Sequence, residues 1–557
     1  MIRIILVLYL FVFINSTLIA QAEFVEVDNL VYQFLDRMYA DRFIDDYNSF
    51  EKPLTRKKIG DLLKQVQSKI FELSLMDRET LEDLLGEYCF DTTGELTCYE
   101  SLISTPNVEI PKYNFFDDNE KYLFFYNKKD TFNIFVNLIT GLSIMSSRDN
   151  KNNYFATLAS YGGEIRGTFL NRLGFHLYGD NGVAFGDKEV GMSLGFLKHN
   201  YKFNEKEEEK FFDKTSGYLN LDFDVVRFKI GNDTRRIGYG NLFPIINDPY
   251  VRQSYFDINL NYAFFNFTFS HSKLSGPMSV ISDSVAGNIN QIEDKYLAYH
   301  RIGFRINEHL SFGLGEMIIY SARGMDLSYM NPLSFYKTLE HQNGDRDNAL
   351  LFIDLENRSI KGIRFFGTYM IDDLNYGKIG TKWWGNQSML HAGIHFYLLN
   401  KHIPMDLEFE YLRVSPYTYT HRINRNNYSN GEFGINGDVA PNSELLFFKI
   451  NYRFTPRISL NMEFRYLEHG ANYYSADNGE LVNVGGDLDL GHRTGDSEES
   501  VFLSGFKEYS REFCAKLNYE PIRNVTLSGE LFFSSGNYDI LGRDDNSYIL
   551  GTITIKI

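Results

Sequence analysis

The residues best suited to chemistry in this chain are arginines and aromatics, not nucleophiles or metal ligands. Arg235 and Arg236 stand side by side, Tyr239 follows, and Arg252 lies in the same connection. A guanidinium presents a planar fork of donors that matches a carboxylate. The group could therefore hold the uronate of an acidic sugar, or pair with the protein's own carboxylates and pin an inward-folded loop. Gly238 and Gly240 imply a tight backbone path at that point. Trp383 and Trp384 are the 2 tryptophans of the chain. They offer either a sugar-stacking platform or amphipathic anchors at a membrane interface. Tyr417, Tyr419, His421, Arg422 and Arg425 form a second aromatic and basic stretch, readable as a glycan contact or as a solvated loop.

Acidic groups give weaker signals. Asn204 to Lys210 contains Glu207-Glu208-Glu209, a solvated loop or a set of carboxylates bridged by divalent cations to lipopolysaccharide phosphates. The adjacent Asp372 and Asp373 are too common a pair to define a calcium site. No G-x-S-x-G, H-E-x-x-H, C-x-x-C or phosphate-loop pattern occurs, so neither an enzyme, a cofactor nor a bound metal is expected. With 56 basic and 73 acidic residues the net charge is −17, and no basic stripe exists to neutralise phosphates. Nucleic acid is excluded as a partner.

These residues need a scaffold outside the cytoplasm. Arg3, the apolar stretch Ile4 to Ile14 and the small-x-small site Ala20-Gln21-Ala22 read as a signal peptide over residues 1–22. Cys89 and Cys98 are close enough to bridge a turn or to remain two buried thiols, while Cys514 sits alone. From Asp28 to about Phe90 apolar residues recur at three- and four-residue steps: Leu30, Phe34 and Met38, then Ile59, Leu62, Leu63 and Val66, then Leu81, Leu84, Leu85 and Tyr88. Three amphipathic helices are expected, with Thr55 and Ser74 as N-caps. They form a small bundle within residues 23–105, on the periplasmic side.

Beyond about residue 115 the period changes to 2. Leu446, Phe448, Ile450 and Tyr452 alternate with Phe447, Lys449, Asn451 and Arg453, and Leu460, Met462 and Phe464 alternate with Asn461, Glu463 and Arg465. Alternation alone fits a soluble sandwich equally well. The connections discriminate. Short turns near 307–309, 357–359, 400–404, 455–457 and 520–524 alternate with long polar stretches at 321–349, 372–386, 415–441, 468–499 and 536–546. That parity is the mark of a transmembrane β-barrel, here of about 18 antiparallel strands over residues 106–557, closed by the alternating strand that ends at Ile557. The 16% aromatic content then supplies interfacial girdles. By itself this architecture fits a diffusion porin or sugar channel, a structural anchor, or a surface-binding protein.

Several segments resemble the capsule assembly Wzi family of outer-membrane proteins, in particular its Bacteroidetes-like branch. They are Phe34-Leu35-Asp36-Arg37-Met38 with Lys52-Pro53-Leu54-Thr55-Arg56, Arg235-Arg236-Ile237-Gly238-Tyr239-Gly240, and Tyr329-Met330-Asn331-Pro332-Leu333-Ser334-Phe335, preceded by Glu316 and followed by Asp347-Asn348 and Ile371-Asp372-Asp373. Ile237 stands where the family often carries Trp. The resemblance implies an outer-membrane barrel with a periplasmic bundle, acting as a lectin that holds capsular or exopolysaccharide at the cell surface. Outer-membrane lipid and lipopolysaccharide are further partners expected of such a barrel, with the polysaccharide export machinery or, on the anchor reading, peptidoglycan. Arg235, Arg236, Tyr239, Trp383, Trp384, Tyr417, Tyr419 and Arg422 are the residues expected to touch the glycan.

Overall fold

The computed structural model describes residues 21–103, 114–129, 131–149, 152–187, 190–191, 194, 197, 201–202, 210–247, 252–285, 287–437, 439–537 and 547–557. Most of the expected signal peptide, the Glu207-Glu208-Glu209 run, the 105/106 boundary and most of the 536–546 stretch lie outside the described residues.

Four helices follow the N-terminal segment: α1 (Val31–Ala40), α2 (Arg56–Gln67), α3 (Leu75–Glu87) and the short α4 (Cys89–Thr93). Thr55 caps α2 by accepting the Lys58 N–H at 3.3 Å, and Ser74 caps α3 by accepting the Asp77 N–H at 3.1 Å. Such caps satisfy backbone donors that have no partner inside the helix. The helices bury Val31, Leu35, Met38, Ile59, Leu62, Val66 and Leu81 against one another. Cys89 and Cys98 are joined by a disulfide that ties α4 to the following segment, and Cys514 is a free thiol.

The remainder is a closed antiparallel barrel of 18 strands. In chain order they are β1 (Phe132–Arg148), β2 (Asn153–Phe169), β3 (Leu173–Gly186), β4 (Lys210–Asp222), β5 (Val226–Asp233), β6 (Gln253–Tyr262), β7 (Phe265–Asp283), β8 (Gly287–Asn307) and β9 (Leu310–Ser321), then β10 (Asn348–Asn357), β11 (Ile363–Ile371), β12 (Ser388–Phe396), β13 (Met405–Val414), β14 (Ser443–Thr455), β15 (Ile458–Ala471), β16 (Phe506–Ile522), β17 (Val525–Gly536) and β18 (Ser547–Lys556). Each pairs with its chain neighbour, and β18 closes the ring on β1 from Ser547↔Arg148 to Lys556↔Ile139. Two short pieces, Phe124–Lys128 and Tyr201–Lys202, add to β1 and β4.

The two faces of the wall differ as a membrane requires. On β16, β17 and β18 the outward residues Phe513, Leu517, Leu531, Phe533 and Ile549 are 38% to 59% exposed, an apolar face that no described residue covers. Inward positions such as Asn133, Asn137, Glu164, Arg166 and Asn220 are polar and buried. No described helix is long and apolar enough to cross a bilayer, and a closed sheet satisfies every backbone group without one. The expected register of β15 is present: Leu460, Met462 and Phe464 face Leu517, Ala515 and Phe513 across the pair, while Glu463 meets Lys449 in the lumen at 2.9 Å.

The helices sit at the end where the turns are short. Buried Arg37 joins α1 to Asp77 of α3 at 2.8 Å and to Asp406 of β13 at 3.1 Å, and Arg453 of β14 reaches the same Asp77 at 2.8 Å. Burial pushes the Asp77 carboxyl up, but Arg37 and Arg453 outweigh it and hold the group down at about 2. The chain on either side of the helices does not stay outside the barrel. Ala22 and Glu23 run along the inner wall, donating to and accepting from Thr168 of β2, and Glu51–Lys52 enters the lumen as a short strand.

Candidate functional site

Half of the lumen is plugged. The connection after β5 folds inward and pairs Arg236–Ile237 with Glu51–Lys52 on one side and Ile246–Asn247 on the other, a three-stranded sheet inside the barrel. Its Ile237, Tyr239, Leu242, Ile245 and Ile246 pack on Tyr299, Met317, Leu350, Phe352, Met370 and Met389 of the wall. The loop between β13 and β14 closes over it: Asn247 donates to the Ile435 carbonyl at 2.8 Å, and the Tyr428 hydroxyl donates to the Ile245 carbonyl.

Two glycines make this path possible. Gly238 (φ 125°) and Gly240 (φ 72°) lie in the left-handed region. A Cβ on Gly240 would come within 2.4 Å of the Glu410 carboxylate, and one on Gly238 within 2.6 Å of Pro244. Only glycine meets both demands. Glu410, fully buried on β13, holds the turn by accepting the Asn241 N–H at 2.7 Å and the Leu242 N–H at 3.3 Å, with His391 at 3.0 Å and His395 at 3.3 Å on its other side.

The arginine cluster belongs to this plug. Arg235 is buried and donates to Asp257 (3.2 Å), Ser270 (2.6 Å), Gln253 (2.6 Å) and Ser272 (2.8 Å), its guanidinium lying 3.9 Å over the Tyr255 ring. Tyr239 is buried too, donating to Asp354 at 2.9 Å beside an edge-on contact with Phe50. Arg236 reaches Asp28 of the N-terminal segment at 2.6 Å, and Arg252 donates to the Thr215 carbonyl at 2.6 Å.

Arg236 and Arg252 also border the unplugged half, where a cavity of about 500 Å³ runs beside β3 to β5 and β18, lined with Asp28, His176, Tyr178, Lys214 and Lys556 among others. A second cavity of about 360 Å³ shares Phe24, Glu26 and Lys556 with it and opens among Asp83, Glu87, Arg457 and Arg523 at the helical end. Glu26, Glu164 and His176 bring three possible metal-ligand atoms together here, but Glu164 is already paired with Lys556 and hydrogen-bonded to His176 at 3.1 Å.

The remaining predicted residues meet at the long-loop end. Trp384 stacks on His492 (centroids 3.9 Å apart, planes 8°) and lies edge-on to Tyr417 at 5.8 Å. Trp383 lies 5.4 Å from Trp384, donates its indole N–H to Glu498 at 3.2 Å and carries the Lys378 ammonium 4.6 Å over its ring. Three loops, 372–387, 415–442 and 472–505, thus converge on one aromatic junction with both indoles half-buried. Tyr417 and Tyr419 are themselves buried at positive φ. The Tyr417 hydroxyl donates to the Asn483 carbonyl at 3.0 Å, and Tyr419 stacks on Tyr428 at 4.9 Å. Arg422 is exposed and meets Asp345. Asp372 is buried and accepts the Tyr419 N–H. Burial, then the charge of Asp373, pushes its carboxyl well up.

Sequence reasoning missed Glu410, Asp354 and His492. All three are single polar residues whose partners are remote in the chain; only Glu410 and Asp354, at inward strand positions, were legible as lumen-facing.

No family model and no curated protein matches the sequence. Among solved structures the chain is similar to Wzi, an outer-membrane protein involved in group 1 capsule assembly in Escherichia coli and described as a carbohydrate-binding β-barrel. Identity is 12%, 96% of this chain and 99% of that one are covered, and the TM-score is 0.55. OccAB2 of Acinetobacter baumannii (12% identity, 76% and 97% covered, TM-score 0.45) and OccK8 of Pseudomonas aeruginosa (8%, 76% and 98%, 0.44) follow. With its closed 18-strand ring, apolar outer face and N-terminal helices, the chain is an outer-membrane β-barrel that shares the fold of Wzi over nearly its whole length.

Proposed function

We propose that this barrel is a surface lectin or assembly factor that retains capsular or exopolysaccharide, with the long loops facing outward and the helices in the periplasm. The observation that carries this reading is the division of labour between lumen and loops. Arg235 and Tyr239 are consumed in pinning a plug, whereas Trp383, Trp384, His492 and the exposed Arg422 all stand on the long loops, with the two indoles half-buried. Flat rings suit the apolar faces of sugars, and Asn, Arg and Asp groups suit their hydroxyls and acids. The acidic-sugar contact is reassigned from Arg235 to Arg422.

Binding of purified, folded protein to a glycan array tests the proposal. The parent should bind, and Trp383→Ala with Trp384→Ala should weaken binding by about 1 kcal/mol for each stacking ring lost. Failure of the parent to bind any glycan overturns the reading. A diffusion channel is favoured instead by one observation, the chain of polar cavities along β18. Single-channel recording separates the two, since a lectin with a plugged lumen should show no open level.

A further inference from the structure

The loop between β9 and β10 turns outward and lies against the membrane-facing side of the wall. Cross-strand pairing fixes the faces. Tyr299↔Met317 and Gly315↔Phe352 are lumen pairs, since Tyr299 donates to Glu51 inside the barrel. Ala298↔Ile318, His300↔Glu316, Ile302↔Leu314 and Leu314↔Ile353 are therefore outside. Yet Ala298, Ile318 and Tyr320 are fully buried, covered by Tyr329 and Tyr336 of this loop.

Glu316 explains how the loop is held. A carboxylate on the lipid side of a barrel is costly. Here it accepts the N–H of Tyr336 at 2.8 Å and of Lys337 at 2.8 Å, both at the start of α5 (Tyr336–Gln342), and meets His300 at 3.2 Å. Tyr336 roofs the pair, its ring 4.4 Å from the imidazole. Bidentate Arg323–Asp347 contacts at 2.8 and 2.6 Å close the loop's base.

Beneath the loop's leading edge the wall and the loop enclose a groove of about 570 Å³, within the 300–1,000 Å³ of ordinary ligand clefts. Its floor is Phe267, Ile302, Leu314, Ile353 and Tyr369, and its rim is Leu333 and Phe335, which are 84% and 56% exposed. The depth is informative. β10 is 10 residues long, close to the roughly 9–11 that a tilted strand needs to span the hydrocarbon, and Ile353 is at its middle. The groove therefore opens into the bilayer core, where the surrounding medium is acyl chain and not water.

We infer that this exterior groove binds one acyl chain of a lipid in the leaflet on the long-loop side, clamped between the wall and the Pro332-Leu333-Ser334-Phe335 segment. Acyl chains are the medium in contact with the opening, and an apolar cleft with exposed Leu and Phe lips is complementary to them. The inference is independent of glycan binding.

The test reconstitutes the full barrel in vesicles of dioleoylphosphatidylglycerol, extracts it in mild detergent and counts retained lipid by native mass spectrometry. One retained lipid per barrel is expected. Leu314→Trp, which fills the groove from the floor, should lower the retained fraction at least fivefold, and Leu531→Trp, equally lipid-facing on the opposite wall, should leave it unchanged. Leu333→Ser removes the lip without touching the strands and should also release the lipid, which keeps the test decisive if Leu314→Trp does not fold. A parent that retains no lipid, equal retention in both tryptophan variants, or a stable dimer that buries Leu333 against a second copy would overturn the inference.

Discussion

The two halves of the lumen are built on opposite principles. From β7 to β13 the inner wall carries Tyr299, Met317, Leu350, Phe352 and Met389 against a folded plug, packed as the core of a soluble domain is. From β16 around to β5 it is polar, with Glu164, Arg166, His176, Lys229 and Lys556 around cavities large enough for water. One ring of strands can thus carry a core and a wet lumen side by side, because inward positions are free to be either while outward ones must be apolar. The plugged half gives rigidity and blocks passage on its side; the polar half is held by buried pairs such as Arg166–Glu23 and Lys556–Glu164 around its cavities.

The largest consequence is expected for passage. Replacing residues 239–246 by a Gly-Ser linker should convert a silent barrel into an open pore in planar bilayers. If the parent already conducts and the linker variant adds little, the polar half is the real path and the contrast collapses. Stability should follow the same division. Arg301 chelates Asp354 with two 2.8 Å bonds beneath Phe50 and Tyr239, so Arg301→Ala should cost about 3–5 kcal/mol by leaving a buried carboxylate unpaired. Arg252→Ala on the polar side, losing one exposed contact, should stay within about 0.5 kcal/mol. Urea unfolding of the refolded barrel measures both.

A third comparison sets outside against inside on one strand. Met462→Arg should cost roughly 2–4 kcal/mol near the bilayer midplane. Glu463→Gln, next to it in the lumen, should cost less, on the order of 1 kcal/mol, since it weakens only a partly exposed pair with Lys449. Equal costs would mean the faces are reversed.

The smallest effect concerns pH. Asp77 titrates near 2 in the folded protein, whereas an unfolded aspartate titrates at about 3.9. Because the folded value is the lower one, docking of the helices is complete above about pH 4 and weakens as pH falls toward 2, by on the order of 2 kcal/mol in all. Hydrogen exchange along α3 at pH 5 and pH 2.5 should show the loss, and Asp77→Asn should abolish the pH difference.

How legible all this was in the sequence depends on what each strand touches. β14 and β15 have lipid outside and a mostly polar lumen inside, so their alternation is clean; loop parity marked a membrane barrel, and the alternating strand ending at Ile557 marked its closure. β9 and β10 are different. Met317, Ile318, Ile319 and Tyr320 run without a polar break because one face meets the plug and the other meets Tyr329 and Tyr336. Period 2 disappears when both sides of a strand are dry. The same cause hid the plug, whose Leu242, Ile245 and Ile246 read as an unremarkable apolar patch in a connection. At the site, residue types were visible but not their depth. An arginine that pins a loop and one that awaits a ligand carry the same fork, and only the Asp257, Gln253 and Ser270 partners of Arg235 distinguish them.

The helical end has a mechanical consequence. Arg358 in the turn after β10 donates to the Tyr39 and Ile44 carbonyls, Arg457 in the turn after β14 and Arg523 in the turn after β16 both grip Asp83, and Asp224 in the turn after β4 meets Lys57. These anchor points are spread around the circumference of the mouth. The helices therefore act as a hub whose spokes resist flattening of the ring, so a pull on any one turn is shared with the others before a single strand can shear from its neighbour.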